Sequence, residues 1–152
     1  MPRLIFTRAA NPVADLAIRA FEGGSAGHVG IALDEGGVIH ATFRHGVHAQ
    51  TMAEFLADRI VVQEIPVFLP NQPAADAWLR AQLGKPYDWT GILGFLFWRD
   101  WQDDDAWWCS EAAAAWMLQG GASLAGRHKR IGVRLLQEIA YARAVGRMGA
   151  MA

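Results

Sequence analysis

A single cysteine in 152 residues leaves no partner for an intrachain disulfide and excludes zinc sites built on two or more thiolates. An excess of charge of either sign is missing as well, with 14 Lys and Arg against 15 Asp and Glu. The formal net charge is −1, which gives no overall pull toward nucleic acid. Long apolar runs are missing too: the most apolar stretch, Gly91 to Trp98, falls far short of the ~20 residues needed to span a bilayer. The opening Met-Pro-Arg-Leu-Ile-Phe-Thr-Arg contains no signal-peptide hydrophobic stretch, so a cytoplasmic location is the default expectation. No internal repeat or low-complexity tract interrupts the chain.

What remains is an ordinary globular composition, 53 % hydrophobic and 19 % charged. A chain of this length buries about 70 % of its extended surface, enough for a core without staples. Residues 1–152 are therefore expected to form one domain.

Along the chain, Leu4 to Thr7 reads as a short strand. Asn11 and Pro12 suit the start of a helix with an apolar stripe of Val13, Leu16, Ala17 and Ala20, stopping at Gly23-Gly24. Two β-type runs follow, His28 to Leu33 and Val38 to Phe43, with Asp34-Glu35-Gly36-Gly37 between them as a hairpin signal. Gly46 to Gln50 adds an extended piece, and Thr51 with Glu54 has the spacing of a capping box. Ile60 to Phe68 is a further strand candidate. Pro73 to Leu83 predicts a helix ending at Gly84-Lys85-Pro86. Another begins near Ala106 to Ser110 and stops at Gly120-Gly121. The last spans Ile131 to Val145, with Ile131, Leu135, Ile139 and Ala142 on its apolar face. Strands grouped between helices predict an α+β fold with an antiparallel sheet.

The hairpin carries two histidines, and its register decides whether they meet. A four-residue loop pairs Leu33 with Val38 and sends His28 and His40 to opposite faces. A three-residue loop, Asp34 to Gly36, pairs Leu33 with Gly37 and brings the imidazoles to one face as diagonal neighbours, roughly 7 Å apart by backbone geometry. The second is favoured because Gly36 takes the left-handed last position at little cost. Gly30 and Ala32 then share the histidines' face, while Val29, Ile31 and Leu33 turn toward a core. His45, His48 and His128 carry no such context and read as surface polar residues. No His-Glu-x-x-His or comparable ligand spacing accompanies the histidines, so neither a metal nor any other cofactor is expected.

Cys109 stands immediately before an alanine run, Ala112 to Ala115, and so at or near a helix start. Unpaired N–H groups and the helix dipole favour an anion there, raising the thiolate fraction and offering donors to an oxyanion. Asp103, Asp104 and Asp105 oppose this and read as solvated loop residues or caps. Glu111 suits the first turn. Trp98, Trp101, Trp107 and Trp108 crowd the approach to the thiol. Core packing accounts for most such aromatics, and Trp108, beside the thiol, is the candidate wall of a substrate groove.

Together, Gly84-Lys85-Pro86-Tyr87-Asp88-Trp89 and the later Cys109-Ser110 resemble the NlpC-type cell-wall peptidases. In those the histidine follows the cysteine. Here the hairpin histidines precede it, an order similar to the circularly permuted branch that includes YiiX-like and YebB-like proteins and lecithin:retinol acyltransferase. Ser25-Ala26-Gly27-His28-Val29-Gly30-Ile31 resembles that branch's histidine-bearing strand, and Val38-Ile39-His40-Ala41 its third polar position. The resemblance covers roughly residues 1–120. It implies a permuted papain-like fold with Cys109 as nucleophile, His28 as proton shuttle, His40 as the group that orients His28, and Tyr87 near the oxyanion.

Three functions are open at this level. The first is a thiol amidase or endopeptidase, with a peptide or peptidoglycan fragment as substrate; a cell-wall substrate would require export or release by lysis, as in bacteria and phages. The second is a lipid-directed acyltransferase or thioesterase, for which Gly91 to Trp98 would touch the acyl chain. The third is a binding module with a vestigial site, in which the basic residues Arg127, Lys129, Arg130, Arg134, Arg143 and Arg147 meet an anionic partner. The catalytic readings require the hairpin to bring an imidazole within proton-transfer reach of Cys109.

Overall fold

The computed structural model describes residues 1–10, 23–88, 105–124 and 131–150. Among these residues, five strands form one antiparallel sheet: β1 (Arg3–Ala9), β2 (His28–Ala32), β3 (Gly37–Thr42), β4 (Gly46–Thr51) and β5 (Arg59–Pro66), in the order β4-β3-β2-β1-β5. The described helices are α1 (Met52–Leu56), α2 (Gln72–Ala81), α3 (Cys109–Gln119) and α4 (Val133–Ala150). The α+β class and antiparallel sheet expected from the sequence are present. The helix expected after Asn11 and the apolar run Gly91 to Trp98 lie outside the described residues.

The β2–β3 hairpin adopts the three-residue loop. Ile31 pairs with Ile39 and Ala32 with Val38, Leu33 N–H donates to the Gly37 carbonyl at 2.9 Å, and Gly36 takes φ +91°. A side chain at that φ is strained, so glycine at position 36 selects the loop and with it the register of the sheet's centre. Thr51 caps α1 with the capping box its spacing predicts: its hydroxyl accepts from Glu54 N–H, and Glu54 accepts from Thr51 N–H at 2.8 Å.

The sheet separates two apolar clusters. Period-two alternation sends Leu4, Phe6, Val29, Ile31, Ile39 and Ala41 to one face, where they join Trp107, Cys109, the alanines of α3 and Trp116. Residues 109–117 of α3 are buried without interruption, the polar Ser110 and Glu111 among them, as a helix apolar on most sides packs within a core. Ile5, Ala32 and Val38 turn to the other face and pack on Phe55 of α1. The apolar face of α4 differs from the expected stripe. Val133, Leu136 and Ala140 are buried; of the expected stripe, Ile131 is buried just before the helix and Ile139 packs against the core, whereas Ala142 is exposed and Leu135 is 46 % exposed. Two apolar stripes overlap in this sequence, and the one that packs is set by the neighbours rather than by periodicity.

Candidate functional site

Each histidine owes its place to a strand. His28 opens β2 opposite Thr7 of β1. His40 lies on β3 directly opposite His48 of β4, and Gln50, two residues further along β4, points to the same face. Glycine makes room for them. A Cβ at Gly30 would lie 2.8 Å from Cζ of Phe55 and from Cγ1 of Val38, so only glycine lets Phe55 close over this face. The register therefore delivers the meeting of the two imidazoles: Nε2 of His28 lies 2.9 Å from Nδ1 of His40. Behind them, Nε2 of His40 donates to Oε1 of Gln50 at 2.8 Å. Phe55 meets the His40 ring edge to face, with centroids 4.9 Å apart. The His48 ring centroid stands 4.4 Å from that of His40, and that of His45 stands 5.2 Å from that of His48.

His48 thus belongs to the cluster and is not the isolated surface residue expected from the sequence. Gln50 and Phe55, to which the sequence reading assigns no role, belong to it as well. A signal for both polar residues existed in the alternation of Gly46 to Thr51, which puts His48 and Gln50 on one side of β4 and Val47 and Ala49 on the other.

Burial and like charge keep the His28–His40 pair neutral. His28 is held well below its ordinary pKa, first by burial and then by the proximity of His40, Arg59 and His48. Burial, followed by His48, brings His40 down to about 3, although the hydrogen bond to Gln50 pulls the other way. At neutral pH both rings are uncharged, so each has one N–H donor and one bare nitrogen. The pair can take up a proton but does not start with one. Among the described residues, no group of three His, Cys, Asp or Glu side chains is arranged to hold a metal ion.

Cys109 is the first residue of α3. It follows Trp108, which has extended backbone and makes no side-chain cap, so this helix start lacks the capping oxygen that Ser, Thr or Asp would supply. Both Cys109 and Trp108 are buried, at 6 % exposure. Tyr87 packs against the same cluster as Cys109, and its phenol is held protonated by burial first and then by Cys109 and Asp88. Asp105 is a solvated loop residue, as expected, and faces Lys85 at 3.3 Å. Glu111, expected to need no more than the first turn, is fully buried. Asp103, Asp104, Trp98, Trp101 and His128 lie outside the described residues.

The structure assembles the five predicted site residues as two groups. His28 and His40 occupy the Phe55 face of the sheet, whereas Cys109, Tyr87 and Trp108 lie with the α3 elements and Cys109 packs in the cluster of the opposite face. The groups share one end of the sheet. Val47 N–H donates to the Lys85 carbonyl and Trp107 N–H to that of Pro86, which ties the chain before Tyr87 and the chain before Cys109 to the start of β4. Gly46 at that start pairs with Thr42 of β3, the end toward which β2 begins at His28. Comparison with protein-family models, curated proteins and solved structures finds no match.

Proposed function

We propose that this protein is a cysteine-dependent hydrolase of permuted papain-like type, acting on amide bonds such as those of peptidoglycan peptides. The observation that carries the reading is the hydrogen-bonded His28–His40 pair, neutral at working pH and set at the sheet end where α3 starts. A neutral imidazole can accept the thiol proton, and a second imidazole behind it spreads the charge that results. In this reading Cys109 Sγ attacks the carbonyl carbon while its proton passes to His28. The oxyanion takes donors from the N–H groups opening α3 and from the protonated Tyr87 hydroxyl. His28 then protonates the departing amine, and water, deprotonated by His28, hydrolyses the thioester and restores the thiol. The two groups belong to opposite faces, so this reading requires the proton to pass round the start of β2, where His28 is the first residue.

A second reading, a binding module whose thiol is inert, is favoured by the burial of Cys109 in the cluster opposite the histidines. Alkylation of Cys109 by iodoacetamide, followed from pH 5 to 9, separates the two. The hydrolase reading expects a rate above that of a free thiol at pH 7 and a profile that shifts in His28→Ala. It also expects release of new amino groups from peptidoglycan fragments, abolished in Cys109→Ala. A profile indifferent to His28 and no faster than free cysteine would leave the binding module. None of the described helices is long and apolar enough to cross a membrane.

A further inference from the structure

Gln50 has no part in the Cys109, His28 and His40 scheme, yet it ends the hydrogen-bond chain of the site. Its side-chain oxygen lies 2.8 Å from Nε2 of His40. A carboxamide oxygen only accepts, so Nε2 of His40 carries the proton. A neutral imidazole has one N–H, which leaves Nδ1 of His40 bare. That bare nitrogen lies 2.9 Å from Nε2 of His28, which must then be the donor. His28 is neutral as well, and its own Nδ1 is left without a proton.

We propose that Gln50 is a positioning residue that sets the tautomer of both histidines, through His40, and so makes Nδ1 of His28 the proton acceptor of the site. The catalytic meaning of this rests on the hydrolase reading above; the tautomer assignment does not. The surroundings hold the chain in place without competing for it. Phe55 closes edge-on over His40, and His48 is held aside by its own contact, Nδ1 to the Gly46 carbonyl at 3.0 Å. The charged or titratable groups that face the pair are His48, His45 and Arg59. None of them hydrogen-bonds to either ring in place of Gln50 among the described contacts. An amide turned the other way would donate to His40. The proton would then move to Nδ1 of His40 and to Nδ1 of His28, masking the base. The side chain at position 50 therefore acts as the polarity of the relay.

The test is ¹⁵N-histidine NMR of the full chain at pH 7.5 without substrate, reading which ring nitrogen carries hydrogen. In the native protein both His28 and His40 are expected in the Nε2–H form. In Gln50→Met, similar in shape but without the acceptor, the preference at both rings should weaken by about fivefold to tenfold, the worth of one hydrogen bond. Gln50→Glu, an acceptor only, should keep the native pattern and raise the pH at which His40 titrates. A proton on Nδ1 of His28 in the native protein, or a pattern unchanged in Gln50→Met, would overturn the proposal. If Gln50→Met does not fold, an unchanged His40 titration in Gln50→Glu overturns it equally. Cys109→Ala should leave the tautomers as they are. An inert Cys109 with the Nε2–H pattern intact would remove the hydrolase reading alone.

Discussion

Imidazoles that stay neutral in the fold make a specific demand on pH. In the unfolded chain each histidine takes a proton near pH 6.5, whereas burial and its neighbours hold folded His40 at about 3 and His28 well below 6.5. Below pH 6.5 the unfolded chain therefore binds more protons than the folded one. Stability is fully present above that pH and is lost as pH falls toward the folded value, by up to ~1.4 kcal/mol per pH unit for each such histidine. Urea unfolding at pH 7.5 and pH 5 should show the loss, and His40→Gln should flatten it. Equal stability at the two pH values would mean that the pair is not buried and neutral. A second prediction at this scale concerns Gly30. The Cβ of Gly30→Ala would press on Phe55 and Val38 at 2.8 Å, and overpacking of this kind costs about 1–3 kcal/mol. The same urea titration measures it, and a variant as stable as the native protein would mean that Phe55 is not seated over the histidines.

Elements in this chain are held to one another by backbone as much as by side chains. At the start of β4, Gly46 adopts φ +62°, and a Cβ there would overlap the carbonyl oxygen of Lys85. The hydrogen bonds from Val47 N–H to Lys85 and from Gly84 N–H to Val47, at 2.9 and 2.8 Å, clamp the segment leading to Tyr87 against the sheet edge. Gly46→Ala should therefore cost at least ~2 kcal/mol, from strain at positive φ together with the lost clamp. Amide exchange at Val47 and Gly84 should quicken more than exchange in β1. Uniform protection would show that the segment is not held there. Elements were also where the sequence was most legible. The capping box at Thr51, the Asp34-Glu35-Gly36 loop and the glycine stops after α2 and α3 are short-range devices, and each is found where its spacing predicts. Gln50 and His48 were harder to read because a polar residue on a strand acquires meaning only from the strand beside it.

At the scale of the whole molecule, packing chose among faces that periodicity left equivalent. For α4 the choice can be tested by a pair of neighbours. Leu136 is fully buried against the main core, whereas Leu135 is 46 % exposed. Leu136→Ala should cost about 2–5 kcal/mol and Leu135→Ala within about 0.5 kcal/mol of nothing, read from their unfolding midpoints. Equal costs would restore the stripe expected from the sequence. The same kind of choice governs the candidate site. The amino-acid sequence by itself determined the hairpin register, the shared face of His28 and His40 and the helix that opens at Cys109, because each depends on contacts a few residues apart. The tertiary structure alone decided which side of the sheet that helix covers, and hence that Cys109 joins the cluster opposite the imidazoles. Alternation along a strand fixes that neighbouring side chains part company, but the side a distant helix packs against depends on the burial of every element together.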